Sequence, residues 1–255
     1  QSRQAQAARQ HGASLPEVRT ADAPGEGGGR RGTHLWPLQE PAAAATQRAV
    51  PQPLYTGGET LEQMRHDWLG ACLAYDEQKA TTILNQAFAL YPPETVAVQL
   101  LQRAVAQVGQ GWYQGEVTVQ QEHFCSAQIV ARLETLVMAA PPPSRPGRIL
   151  VACPPDEHHI IGPLLLTFLL RRRGWEVIYL GADVPTERLG TMVAVTKPQL
   201  AIMSAQRLHT AATLAEAAEI LQQEGVPLAY GGLIFNLLPE LRGRIAGHFK
   251  NNPCR

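Results

Sequence analysis

The sequence is poor in the features that announce many functions. Its four cysteines, Cys72, Cys125, Cys153 and Cys254, stand far apart with no Cys-x-x-Cys pair. That speaks against a zinc site or a disulfide framework and suits a reducing cytoplasm. There is no surplus of either charge, since 22 basic residues meet 22 acidic ones, so no overall field draws the chain to nucleic acid or to an anionic membrane. No apolar run approaches the roughly 20 residues of a membrane-spanning helix. The first residues lack the basic-then-apolar pattern of a secretory signal. The chain opens on Gln1 rather than Met, which fits a fragment of a longer protein. What is present is 45% hydrophobic content, enough at this length for one or two cores.

The pattern divides the chain in three. Residues 1–57 form a flexible N-terminal segment: Gln1–Thr20 fits a short polar helix, and Ala21–Pro53, rich in Gly, Pro and Ala, fits a linker. Neither has room for a complete helix-turn-helix domain, so no DNA binding is expected of this chain. Residues 58–140 are helical. Leu61, Met64, Trp68, Leu69 and Cys72 recur at helical spacing, and Asp76 can cap a second helix through Ile83, Leu84, Ala87 and Phe88. Pro92 and Pro93 end that helix and open a third, which runs to Trp112. Gly115 then turns the chain, and Thr118 with Gln121 forms a capping box for a fourth helix. Short connections make these an antiparallel four-helix bundle.

Pro141–Pro146 is a stiff linker. Beyond it, residues 147–255 alternate strands and helices: strands at Arg148–Cys153, Glu176–Leu180, Gln199–Ser204 and Pro227–Tyr230, with a short last one near Ile245–Phe249. This implies βαβ crossovers and a doubly wound parallel sheet of the flavodoxin-like, Rossmann-like kind. The helix that would complete a fifth unit is missing or truncated.

The loop after the first of these strands reads Pro155-Asp156-Glu157-His158-His159-Ile160-Ile161-Gly162. In a doubly wound sheet ligands sit at the carboxyl ends of the strands, where this loop lies. An imidazole there can reach a metal while a neighbouring carboxylate accepts its other N–H. Gly162, lacking a Cβ, lets a bulky ligand approach the backbone.

From Arg148 to His248 the sequence resembles cobalamin (B12)-binding domains. The matching pieces are Glu157-x-His159-x-x-Gly162, Ser204 at the end of the third strand, and Gly231-Gly232 after the fourth. The resemblance implies that His159 binds cobalt from below. It also implies that the nucleotide tail of the cofactor slides into the sheet past Ser204 and the two glycines. Ser204-Ala205-Gln206 departs from the family's usual Ser-x-Leu or Ser-x-Thr.

The bundle carries a second motif, Trp112 followed after nine residues by Glu122-His123. It resembles the CarH-type adenosylcobalamin photoreceptors, in which a bundle covers the upper face of the cofactor. The resemblance implies that Trp112 packs over the adenosyl group, with Val119 and Glu122 touching it and His123 nearby. Light then breaks the cobalt–carbon bond and the bundle shifts. Taken alone, Trp112 would be an ordinary core residue and Glu122-His123 a charged helix face. Two positions differ from the family. Tyr113 stands where a histidine captures cobalt after illumination, leaving water or His123 for that place. His158 stands where an arginine pairs subunits.

The expectations are therefore a sensor, not an enzyme, that binds adenosylcobalamin between bundle and sheet. It would act in the cytoplasm, off the membrane, as a homo-oligomer that changes with light and signals to an unidentified output protein. Some relatives without a DNA-binding module add a bilin, and the resemblance leaves room for one. The alternatives are a corrinoid carrier of a methyltransferase system and a B12 storage or delivery module. Elsewhere the expectations are plain. Arg171-Arg172-Arg173 reads as a solvated helix end, His66, His209 and His248 as surface residues, and Cys125 as a packing cysteine.

Overall fold

The computed structural model describes residues 60–250. The expected N-terminal helix and linker, and Cys254, lie outside that range.

Helices α1 (Leu61–Leu73) and α2 (Glu77–Leu90) come first. Asp76 caps α2 by accepting the Lys79 N–H at 2.9 Å, meeting one of the donors that every helix start leaves open. Pro93 sits in the first turn of the next rod, where its missing N–H costs nothing. That rod consists of α3 (Pro93–Val96), a π-helical stretch (Ala97–Gln102) and α4 (Arg103–Gln114). Apolar spacing gives no sign of the π stretch, because Val96, Leu100 and Leu101 are buried across it all the same. Gly115, at φ 78°, takes the left-handed turn that ends α4. α5 (Val119–Met138) opens on the expected capping box of Thr118 and Gln121. The Gln121 amide also donates to the Leu73 carbonyl at 2.8 Å, tying the start of α5 to the end of α1. Trp68, Ile83, Leu100, Ile129 and Leu133 fill the space between the helices.

The sheet is parallel throughout, in the order β2-β1-β3-β4-β5. Its strands are β1 (Arg148–Ala152), β2 (Glu176–Gly181), β3 (Leu200–Ser204), β4 (Leu228–Gly231) and β5 (His248–Phe249). The chain steps outward from β1 to β2 and then back past β1 to β3. This reversal opens a crevice at the carboxyl ends of β1 and β3. α6 (Ile161–Arg172) covers one face, over Ile149, Val151 and Val177. α7 (Leu189–Thr196), α8 (Leu208–Gln223) and α9 (Ile234–Leu237) cover the other, over Leu150, Ala152, Ala201 and Met203.

α6 also belongs to the bundle, since Leu164, Leu165 and Phe168 are part of the bundle's own core. Of the arginines at its end, Arg172 and Arg173 are exposed as expected from sequence, but Arg171 is not. Arg171 turns inward and donates to the carbonyls of Val137, at 3.2 Å, and Val177, at 3.1 Å. Arg172 pairs with Glu94 at 2.7 Å. The reason is location: the end of α6 lies in the seam, where the last turn of α5 leaves carbonyls that a guanidinium can satisfy. Arg171 meeting Val137 brings the last turns of α5 and α6 together. α5 has 20 residues and α6 has 12, a difference in length of roughly 12 Å at 1.5 Å per residue.

Candidate cofactor site

Between β1 and α6 lies the loop from Cys153 to Ile160. Asp156, at φ 63°, adopts the left-handed conformation that aspartate tolerates better than most residues. Its N–H donates to Asp183 Oδ1 at 2.8 Å, and the Asp183 N–H donates to the Glu157 carbonyl at 3.0 Å. From the other side, the Thr213 hydroxyl donates to the Pro155 carbonyl at 2.9 Å. The loop after β2 and helix α8 thus hold this one in place.

Glu157 is the centre of the arrangement and is fully buried. Its Oε1 faces Nδ1 of His159 and accepts the His159 N–H at 3.0 Å. Its Oε2 accepts the Gln206 N–H at 2.6 Å and the Thr210 hydroxyl at 2.8 Å. Burial by itself would push this carboxyl upward. The bonds from the His159 ring, the Gln206 and His159 amides and Thr210 outweigh it and hold the pKa at about 2. A carboxylate that stays ionised fixes the imidazole with its proton on Nδ1 and its lone pair on Nε2. The ring is half exposed. His158 and Gly162 are exposed beside it, and a Cβ added at Gly162 would meet nothing within 4 Å.

Ser204 ends β3 opposite Gly231 of β4. Its hydroxyl is buried and makes no hydrogen bond of normal geometry. Its polar neighbour is the Cys153 thiol, which burial and the charge of Glu157 push up to about 12. Gly231 and Gly232 have a role in the fold itself. At Gly232, φ is 123° and a Cβ would fall 1.9 Å from the Ala205 carbonyl oxygen, while at Gly231 it would come within 3.0 Å of the Lys250 carbonyl.

At the bundle end, α4 delivers Trp112 and α5 delivers Val119, Glu122 and His123. His123 Nδ1 lies 2.7 Å from Glu122 Oε2, and the Ser126 hydroxyl donates to Glu122 Oε1 at 2.6 Å. Trp112 is 51% exposed, Tyr113 84% and Val119 43%, whereas Trp68 is fully buried. The core tryptophan of the bundle is therefore Trp68, and Trp112 has its indole free. His66, His209 and His248 are at the surface as expected. Cys125 is buried as expected, against Cys72.

Sequence reasoning missed Thr210 and the side chain of Gln206. A hydroxyl in the first turn of the helix after β3 was a usable signal for Thr210. Gln206 was visible only as a departure from a motif. Among the described residues no cluster of three His, Cys, Asp or Glu could hold a bare metal ion, so His159 offers one imidazole nitrogen rather than a ligand set. That donor, the open ground at Gly162 and the unpartnered Ser204 hydroxyl fit a metal carried inside a macrocycle with a polar tail. Among the described residues no helix is long and apolar enough to cross a membrane.

Comparison with known proteins agrees with this geometry. Two family models, each described as a B12 binding domain, match residues 64–136 and 147–249. The HTH-type transcriptional repressor CarH of Myxococcus xanthus is 32% identical over 190 residues, covering 73% of this chain and 63% of that protein. The repressor CarA of the same organism is 28% identical over 174 residues, covering 68% of this chain and 59% of that protein. The chain thus spans about three fifths of the length of these curated relatives, whose names describe repressors and not enzymes. The monomethylamine corrinoid protein of Methanosarcina barkeri shares the fold, with a TM-score of 0.58 at 18% identity over 76% of this chain and 94% of that one. The chain carries both B12 binding domains and is a cobalamin-binding-domain protein resembling CarH.

Proposed function

We propose that the chain is a light sensor that binds adenosylcobalamin between residues 58–140, which cap the cofactor, and residues 147–255, which hold it from below. Residues 1–57 would lead to whatever precedes them. The observation that carries this reading is the half-exposed indole of Trp112 at the end of α4, together with a loop built to present a single imidazole nitrogen. An aromatic of that size normally finds a partner surface, and about half of this one is left uncovered. His159 would bind the metal, Glu157 would hold the His159 ring, and Ser204, Gly231 and Gly232 would line the path of the tail. Trp112, Val119 and Glu122 would cover the upper face, with His123 and His158 at its rims. The bound group would supply a weak cobalt–carbon bond that light breaks. With the upper group gone, apolar surface under Trp112 would be uncovered, shifting the bundle and changing association between copies of the chain. Tyr113 offers a phenol, a poorer cobalt ligand than an imidazole. Water or His123 would therefore occupy the upper position. The three described cysteines are free thiols, in keeping with a cytoplasmic sensor. A bilin is not required by this reading, and the output protein would be recruited or released by the change in association.

The test is size-exclusion chromatography and absorption spectra of the adenosylcobalamin complex, kept dark and then exposed to green light. The expected result is a dark spectrum with nitrogen ligation that His159→Ala abolishes, and a change of elution volume after illumination. Photolysis without any change in association would refute the sensor. Methyl transfer with a partner methyltransferase would then favour a corrinoid carrier.

A further inference from the structure

Gln206 stands where two loops and the Glu157–His159 pair come together. Its backbone N–H donates to Glu157 Oε2 at 2.6 Å, and its side-chain Oε1 accepts the Leu233 N–H at 2.9 Å. Leu233 directly follows Gly232 and is the N-cap of α9. Its N–H therefore has no carbonyl within that helix to bond. Gly232 in turn packs its backbone against Ala205, the residue before Gln206, so closely that no Cβ could fit. A continuous path results: the loop after β4, the Gln206 amide side chain, the Gln206 backbone, the Glu157 carboxylate and the His159 ring.

We propose that Gln206 is a positioning residue that couples the Gly231–Leu233 loop to the imidazole of His159, so that a nucleotide tail entering past Ser204 and Gly231 sets the orientation of the ring. This rests on the reading of the site as a cobalamin site. A leucine at 206 would keep the backbone bond to Glu157 but leave the Leu233 N–H without an acceptor. The coupling therefore belongs to the side chain, and it is built into this chain by the very residue that departs from the family motif. Thr210 holds Glu157 from the same side, but its hydroxyl bonds only Glu157 and Arg207 and does not provide the link.

The experiment compares wild type, Gln206→Leu, Gln206→Met and Gln206→Glu. Each is titrated with adenosylcobalamin and with adenosylcobinamide, which has the same ring and upper group but no nucleotide tail. Amide hydrogen exchange at Leu233 is followed in the ligand-free protein. Gln206→Leu and Gln206→Met should speed exchange at Leu233. They should also reduce the preference for cobalamin over cobinamide by roughly three- to tenfold, the range of one neutral hydrogen bond, and weaken the nitrogen-ligation band with cobalamin. Gln206→Glu, which keeps an acceptor, should restore all three. A merely structural role would lower both affinities together, and an unchanged preference in folded Leu and Met variants overturns the coupling. If either fails to fold, the other carries the comparison, and failure of both to fold, with the Glu variant folded and normal, would show a structural role and overturn the coupling. Wild type that binds neither compound would instead remove the cobalamin reading, and this inference with it.

Discussion

Glu157 is buried and its two oxygens take four hydrogen bonds, while Trp112, at the end of α4, is half exposed. The lower loop is braced by the chain that follows β2 and by the chain that follows β3, so its histidine is held beside Glu157 before any ligand arrives and only the final set of the ring is left to the tail. At the bundle end, Glu122 with His123 and Ser126 and the Thr118–Gln121 capping box stand beside side chains that face solvent. Preorganisation below and exposure above suit a site in which one face is fixed and the other responds. A rigid donor costs little to hold at binding, whereas a surface that waits for its cover can register the loss of that cover.

The contrast can be broken most severely from below. Glu157→Ala should lower stability by about 3–5 kcal/mol, because buried donors on Gln206 and Thr210 would each lose a partner worth ~1–3 kcal/mol. Urea denaturation of the ligand-free protein measures this, and a loss under ~1 kcal/mol would mean the loop is not braced as described. Gly162→Ala sharpens the comparison with the opposite sign. Nothing lies near an added Cβ, and alanine is the better helix former by roughly 0.5–1 kcal/mol. The ligand-free protein should therefore gain slightly in stability while cobalamin affinity falls. A variant that binds as tightly as wild type would show that no ligand approaches the start of α6.

From above the effects are smaller. Trp112→Ala should change stability by no more than ~0.5 kcal/mol, as for other surface positions. It should nevertheless loosen discrimination between adenosyl- and methylcobalamin in paired titrations. A large loss of stability would return Trp112 to the core. The smallest effect belongs to the seam. The Arg172 guanidinium, bonded to Glu94, holds that carboxyl below its ordinary value. Its contribution is present above the usual carboxylate range and is lost as the pH falls through the lowered folded-state value. Both side chains are about a third exposed, so solvent screening limits the loss to a few tenths of a kcal/mol. Glu94→Gln should flatten the acid limb of the stability curve by that amount, and an identical limb would rule out the pair as a contributor.

Much of the architecture could be read from the chain because its signals are local. Asp76 and Thr118 cap helices within three residues of themselves, and the sheet announces itself by short buried runs. The Glu157-x-His159 spacing likewise put the carboxylate beside the ring it holds. What escaped depends on residues far apart in sequence. The Gln206 and Thr210 bonds to Glu157 form only once β1 and β3 lie side by side, and Arg171 turns inward only because α5 ends next to it. Trp68 and Trp112 both fit helical spacing, and periodicity does not tell a buried mid-helix tryptophan from a half-exposed one in a final turn.

The proline-rich stretch from Pro141 to Pro146 marks a boundary along the chain, yet the packing ignores it. Leu164, Leu165 and Phe168 come after that stretch and complete the core that lies before it. Severing the chain there would open a hydrophobic wound in both pieces, so neither half is a self-sufficient building block. The smallest portion that can be transplanted with its site intact is the bundle and sheet together, with α6 as their common wall.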